Sequence, residues 1–224
     1  MIPVYDETRH PGGGFPYAVI AIIVANFVMF FLELANGPDW ALQLALIPNQ
    51  VVHGYALWTI ITAMFIHAGW LHILGNMVYL WVFGDELDAD YMGPWRFLVF
   101  YFLCGFAATA LQIAVDPTSN IPNLGASGAI AGVLGGFLLV YPHDQILTFF
   151  LVPLPIPVRV SALILVGFWF LIQLVSGFVN IGVPDSGGVA YFAHVGGFLT
   201  GLALVKLFAE PGLRARESAG GRRI

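Results

Sequence analysis

The stretch Gly125-Ala126-Ser127-Gly128-Ala129, continued by Ile-Ala-Gly-Val-Leu-Gly-Gly, is a small-residue loop running directly into an apolar helix. Tyr141-Pro142-His143-Asp144 closes that helix. It holds roughly 15 residues and is about 22 Å long, whereas a bilayer core is about 30 Å thick. A soluble setting is excluded, because 59% of the 224 residues are apolar and 9% charged, with mean hydropathy +0.86. A membrane helix that falls short of the bilayer must begin inside it. Ser127 then sits at a helix N-terminus below the surface, and residues 116–124 must dip down to reach it. Backbone at that depth is tolerated only where protein buries it or a water-filled cavity receives it. The stretch therefore predicts a wet cavity with a serine at its floor.

Longer apolar runs at residues 17–35, 70–87, 97–115, 158–181 and 189–208 accompany the short one. Together they predict an all-α membrane protein, a six-transmembrane-helix bundle with a short fourth helix at its centre. Residues 1–16, with Gly12-Gly13-Gly14, read as a flexible polar tail. The start of the chain lacks the basic region of a secretory signal, so residues 17–35 read as an uncleaved first span. Residues 40–68 are moderately apolar, aromatic and broken by Pro48-Asn49, which suits a partly helical interfacial loop. The acidic run Asp85-Glu86-Leu87-Asp88-Ala89-Asp90 is expected to end the second span. Pro153-Leu154-Pro155-Ile156-Pro157 reads as a stiff extended connector, and Pro184-Asp185-Ser186-Gly187-Gly188 as a turn. The domain reading is a tail at 1–16, one membrane domain at 17–209 and an Arg-rich tail at 210–224. The short helix has no counterpart in the first half, so an inverted-repeat transporter is disfavoured.

Charge orients this bundle. Arg9, Arg96, Arg159, Lys206, Arg214, Arg216, Arg222 and Arg223 are all the basic residues. With six spans, every one of them falls on a single side, which places both termini in the cytoplasm. The net charge of −5 gives no footing for a nucleic-acid partner. Cys104 is the only cysteine and lies in an apolar run, so it reads as a packing residue with no disulfide or thiolate metal site.

Three polar groups fall inside the membrane near the opposite, outer side. They are Ser127, the segment His67-Ala-Gly-Trp-Leu-His72-Ile-Leu-Gly-Asn76, and His194 early in the last span. Taken singly, a serine on a span is most often a packing residue, and a lone His or Asn is interhelical glue about half the time. Converging at one depth, they read as a site. Gly128-x-x-x-Gly132 and Gly197-x-x-x-Gly201 let the fourth and sixth helices approach closely, as a serine–histidine hydrogen bond requires. Ser127 is then the nucleophile and His194 the base. No Asp or Glu in a span is placed to orient that histidine, since Glu33 is the only carboxylate well inside one. The expectation is a dyad rather than a triad. His72 and Asn76 share one helix face and, with the Ser127 amide, can hold an oxyanion. Metal binding by His67, His72 and His194 competes, but the chain has no H-E-x-x-H and the five-residue spacing splits His67 from His72.

These residues together resemble the rhomboid family of intramembrane serine proteases. The resemblance covers residues 18–208 and rests on Gly125-x-Ser127-Gly128, on His67-x4-His72-x3-Asn76 and on Ala193-His194-x-Gly-Gly-x3-Gly201. It implies Ser127 as nucleophile, His194 as general base, and His72 and Asn76 at the oxyanion. It also implies cleavage of transmembrane-helix protein substrates in the bilayer, with no cofactor and no metal. Three departures stand out. Trp58-Thr59 replaces the family's Trp-Arg, Ala131 stands where many relatives carry a tyrosine that packs on the histidine, and the Glu before a Gly after the second span is blurred into Asp85 to Gly93. Something other than residue 131 must brace His194. The alternative reading is a catalytically silent relative that binds transmembrane client proteins. A small transporter would need polar residues in both membrane halves. The fifth span and its turn at Pro184, flanked by Gly182, Gly187 and Gly188, are the expected mobile gate, and the expected location is the plasma membrane.

Overall fold

The structure, a computed structural model, describes residues 2–6, 14–150, 156–180 and 189–211. The Pro184 turn with its glycines and most of the C-terminal tail lie outside the described residues. Strand β1 (Ile2–Asp6) precedes helix α1 (Tyr17–Asn36). Three short helices follow, α2 (Pro38–Leu44), α3 (Pro48–Val52) and α4 (Thr59–Thr62), and a 3-10 turn covers Ala63–Phe65. The segment at 40–68 is thus a partly helical loop, as its composition suggests. Helix α5 (Trp70–Glu86) runs on into a wider π-helical stretch, Leu87–Met92. Then come α6 (Pro94–Val115), α7 (Ser127–Val140), strands β2 (Gln145–Phe150) and β3 (Ile156–Ser161), α8 (Ala162–Val179) and α9 (Tyr191–Phe208).

In a bilayer every backbone polar group must be satisfied within its own segment, so long apolar runs become helices. α1, α6, α8 and α9 are each long and apolar enough to cross. Residues Thr59–Phe65 and Trp70–Met92 form a fifth candidate, bent by 92° at its break. The chain is a mostly helical integral membrane protein. α7 has 14 residues, and an unbroken run of them from Ala129 to Phe137 is buried. A helix apolar all round belongs in the middle of a bundle, and α7 packs there against α5, α6 and α9.

Small residues set how close the neighbours come. A Cβ on Gly197 or Gly201 of α9 would overlap the carbonyl oxygens of Gly128 or Gly132 of α7. On the other flank, a Cβ on Gly128 would stand 2.8 Å from that of Ala108 in α6. Cys104 is fully buried and packs where a Cβ of Gly132 would be.

The sheet has the order β1-β2-β3 with both pairings antiparallel, and it corrects two expectations. Residues 2–6 are paired to β2 rather than being part of a flexible tail. The fifth span, expected from residue 158, begins its helix at Ala162, because residues 156–161 pair with β2 instead. Gln145-Ile-Leu-Thr-Phe-Phe and Val158-Arg-Val carry the β-branched and aromatic residues that fit a pleated surface. Pro3 and Pro157 lie on the two edge strands, where a missing N–H is tolerated.

The acidic run does not end the second span either. Asp88 is fully buried, and its Oδ2 accepts the amides of Ala18 (2.7 Å) and Val19 (3.0 Å), capping the start of α1. At this same end the Glu210 amide donates to the Tyr91 carbonyl (2.8 Å) and Arg96 donates to that of Met92 (3.2 Å). Arg96, Arg159 of β3 and Lys206 near the end of α9 thus lie toward the sheet end, and Ser127 lies at the far end of α7.

Candidate active site

The loop that leads down to Ser127 is held by the segment between α1 and α5. Leu46 and Asn123 exchange backbone hydrogen bonds (2.9 and 2.7 Å), the Asn49 amide donates to the Ser119 carbonyl (3.0 Å), and the Gly125 amide donates to Ala63 (2.8 Å). The irregular backbone of this loop is therefore hydrogen-bonded by protein. Gly125 has φ +118°, a left-handed conformation that suits glycine. A Cβ there would stand 2.9 Å from His72 Nε2. The glycine both turns the chain and lets the imidazole come up against it.

Ser127 is the first residue of α7 and His194 the fourth of α9. The close approach of those helices brings Ser127 Oγ to 2.8 Å from His194 Nε2. On the other side of the ring, His194 Nδ1 lies 2.8 Å from Gln173 Oε1. An amide oxygen accepts only, so Nδ1 carries the ring proton and Nε2 is left to accept from the serine hydroxyl. Trp169, four residues before Gln173, lies against the same ring at a centroid distance of 5.8 Å. Both supports come from one face of α8. Ala131 is fully buried beneath the cavity, so the brace that residue 131 does not supply comes from a different helix.

Neither Gln173 nor Trp169 was singled out from the sequence. Gln173 did carry a signal, because with Ser176 it is one of two polar side chains in an otherwise apolar span.

His72 Nδ1 accepts the Ala68 amide (3.2 Å), which leaves the ring proton on Nε2, the nitrogen that faces Gly125. Asn76 is one turn along, and its buried Nδ2 has no hydrogen-bond partner among the described residues. It lies 3.7 Å from the position of a Gly125 Cβ. The Ser127 amide, at a helix start, has no intrahelical acceptor. Three donors thus gather beside the serine.

His67 plays a different part. It is buried, its amide donates to the Glu33 carboxylate of α1 (3.2 and 3.3 Å), and its Nδ1 lies 3.3 Å from the Phe65 carbonyl. Its ring backs that of His72 at 5.1 Å and does not line the cavity. Glu33 secures this loop and does not reach His194.

Ser127, His194, His72 and Asn76 line one cavity of about 570 Å³, walled by apolar residues such as Leu134 and Trp169. Among the described residues that line it there is no Asp, Glu, Lys or Arg. Apolar walls lower the local dielectric and strengthen each hydrogen bond at the site.

Fold and site define a helical membrane protein with a serine–histidine pair set at the start of a buried short helix. The chain belongs to the rhomboid family: the Rhomboid domain model matches residues 55–211. It is 31% identical to RHOMBOID-like protein 6, mitochondrial, of Arabidopsis thaliana over 77% of this chain and 48% of that protein. It is 27% identical to Rhomboid protease GluP of Bacillus subtilis over 94% of this chain and 38% of that protein. Rhomboid-like protease 3 of Toxoplasma gondii is 25% identical over 90% of this chain and 73% of its own length. The chain spans less than half the length of the first two.

Proposed function

We propose that this chain is an intramembrane serine endopeptidase that cleaves transmembrane-helix protein substrates. The observation that carries the reading is the 2.8 Å contact of Ser127 Oγ with Nε2 of His194. In the proposed reaction His194 takes the serine proton as Oγ attacks the scissile carbonyl. The oxyanion forms beside His72 Nε2–H, Asn76 Nδ2–H and the Ser127 amide, whose fixed dipoles lower the barrier by several kcal/mol in comparable sites. His194 then gives its proton to the leaving amine, and water repeats the sequence on the acyl-enzyme.

The proposal extends to architecture and placement. The bent pair counts as one span and short α7 as another, giving six spans in a protease domain over 17–209. The proposed placement is the plasma membrane, with both termini cytoplasmic and the cavity opening outward; Arg96, Arg159 and Lys206 at the sheet end support that orientation under the positive-inside rule.

Labelling of the purified protein by a fluorophosphonate probe tests the reading without a known substrate. Wild type is expected to label, and Ser127→Ala and His194→Ala to lose it. A folded, monodisperse wild type that does not label would instead favour a silent binder of transmembrane clients.

A further inference from the structure

The histidine of the pair is held by neither helix of the pair. Gln173 Oε1 accepts a hydrogen bond from Nδ1–H and Trp169 lies against the ring, both from α8. A glutamine in a bilayer-spanning helix is costly unless its amide is hydrogen-bonded, and here it is spent on one imidazole nitrogen. With a donor in place of Oε1, or with nothing, the neutral ring is free to carry its proton on Nε2. A protonated Nε2 faces the serine oxygen as a donor and cannot act as the base.

α8 itself is unevenly anchored. Its first turn is tied to the sheet end, where the amides of Ala162 and Leu163 donate to the carbonyls of Asp144 and Pro142 (both 2.9 Å). Ala162, Leu165 and Val166 are buried there. In the half that carries Gln173, Gly177 is the one buried residue, while Leu171, Val175, Phe178 and Val179 are more than half exposed. At this end α8 meets α9 through Gly177 against Tyr191 and Phe192, and through the rings of Phe178 and Phe192 at 5.8 Å.

We propose that Gln173 is a positioning residue that selects the working tautomer of His194, with Trp169 bracing the ring, so that the pair is armed only when the C-terminal half of α8 is seated on α9. The serine–histidine distance is built by the glycine contacts of α7 and α9. Its chemical competence is supplied by a third helix. Gln173 touches no reacting atom and acts through His194.

This inference rests on the protease reading, and two readouts keep them separable. Wild type, Gln173→Leu and Gln173→Glu are compared for the rate of fluorophosphonate labelling and for the 15N shifts of the His194 imidazole, assigned by difference from His194→Ala. Leu removes the acceptor and suits a membrane helix. It is expected to slow labelling about 10- to 100-fold and to mix the two tautomers. Glu keeps an acceptor oxygen and is expected to retain the wild-type tautomer and a rate within about threefold. Gln173→Met, unbranched and equally apolar, serves where Leu does not fold. A folded apolar variant that labels at the wild-type rate, with Nδ1 still protonated, would overturn the proposal. A wild type that fails to label while Nδ1–H is lost in the apolar variant would sink the protease reading and leave the tautomer role standing.

Discussion

The carbonyl oxygen of Gly128 occupies the space where a Cβ of Gly197 would stand. That overlap is what lets α7 and α9 approach closely enough for Ser127 Oγ and His194 Nε2 to meet at 2.8 Å. Backbone cannot yield as a flexible side chain does, so a methyl group there must part the helices. Gly197→Ala is expected to destabilise the fold by about 1–3 kcal/mol and to abolish fluorophosphonate labelling in the protein that remains folded. Gly167→Ala is the matched control. Nothing lies within 4 Å of its added Cβ, and it sits inside α8. It should raise stability slightly, through helix propensity, with labelling intact. Thermal unfolding in detergent alongside labelling reads both.

Asn76 should separate reactivity from stability. Its Nδ2 is buried with no partner among the described residues, which costs the folded state the solvation of one donor. Asn76→Leu is expected to leave the unfolding temperature unchanged or raised, and to slow labelling about 100-fold, the usual cost of one oxyanion donor. The loss should lie in the maximal rate of inactivation, with half-saturation by the probe little changed. A variant that is both less stable and equally reactive would remove Asn76 from the proposed oxyanion site.

Asp88 offers the reverse case. Its Oδ2 caps two amides of α1 at the end of the bundle remote from the serine. Asp88→Ala leaves both donors unmet and is expected to lose about 1–3 kcal/mol. Asp88→Asn, which keeps a carbonyl acceptor, should lose less. Neither should change the labelling rate of folded protein at low temperature.

The contact of the C-terminal half of α8 with α9 can be opened without touching the pair. A Cβ at Gly177 would lie 3.3 Å from Tyr191 and 3.4 Å from the Phe192 ring. Gly177→Val adds bulk beyond that Cβ and is expected to tilt this half of α8 away, lengthening the Gln173–His194 contact. Labelling should slow about tenfold or more while the unfolding temperature moves by a few degrees, since this half of the helix buries little. Wild-type labelling in Gly177→Val would show that α8 need not be seated for reaction.

Much of this molecule was readable before any tertiary contact was known. The spans follow from transfer free energy, a property of local composition, and the shortness of α7 follows from counting residues between Ser127 and Tyr141. Ser127, His72, Asn76 and His194 stood out because polar groups in apolar runs are costly wherever the chain goes. The glycine pairs that join α7 to α9 were visible as spacing.

Other features depended on how helices turn about their axes and which segments pair, and neither is encoded within one run. The Gln173 and Trp169 contacts to His194 require α8 to face α9 with one particular side. The tautomer of His72 is set by the Ala68 amide across the helix start, and Asp88 looked like a helix terminator until α1 arrived to be capped by it. The strands at 2–6 and 156–161 form only because β2 lies between them, since a strand is satisfied by its neighbours whereas a helix is satisfied by itself. Sequence alone therefore determined the long helices, the short one and the candidate chemistry, because each rests on the free energy of a segment in its solvent. The tertiary structure decided which group orients the histidine, because that hydrogen bond joins atoms 21 residues apart on separate helices.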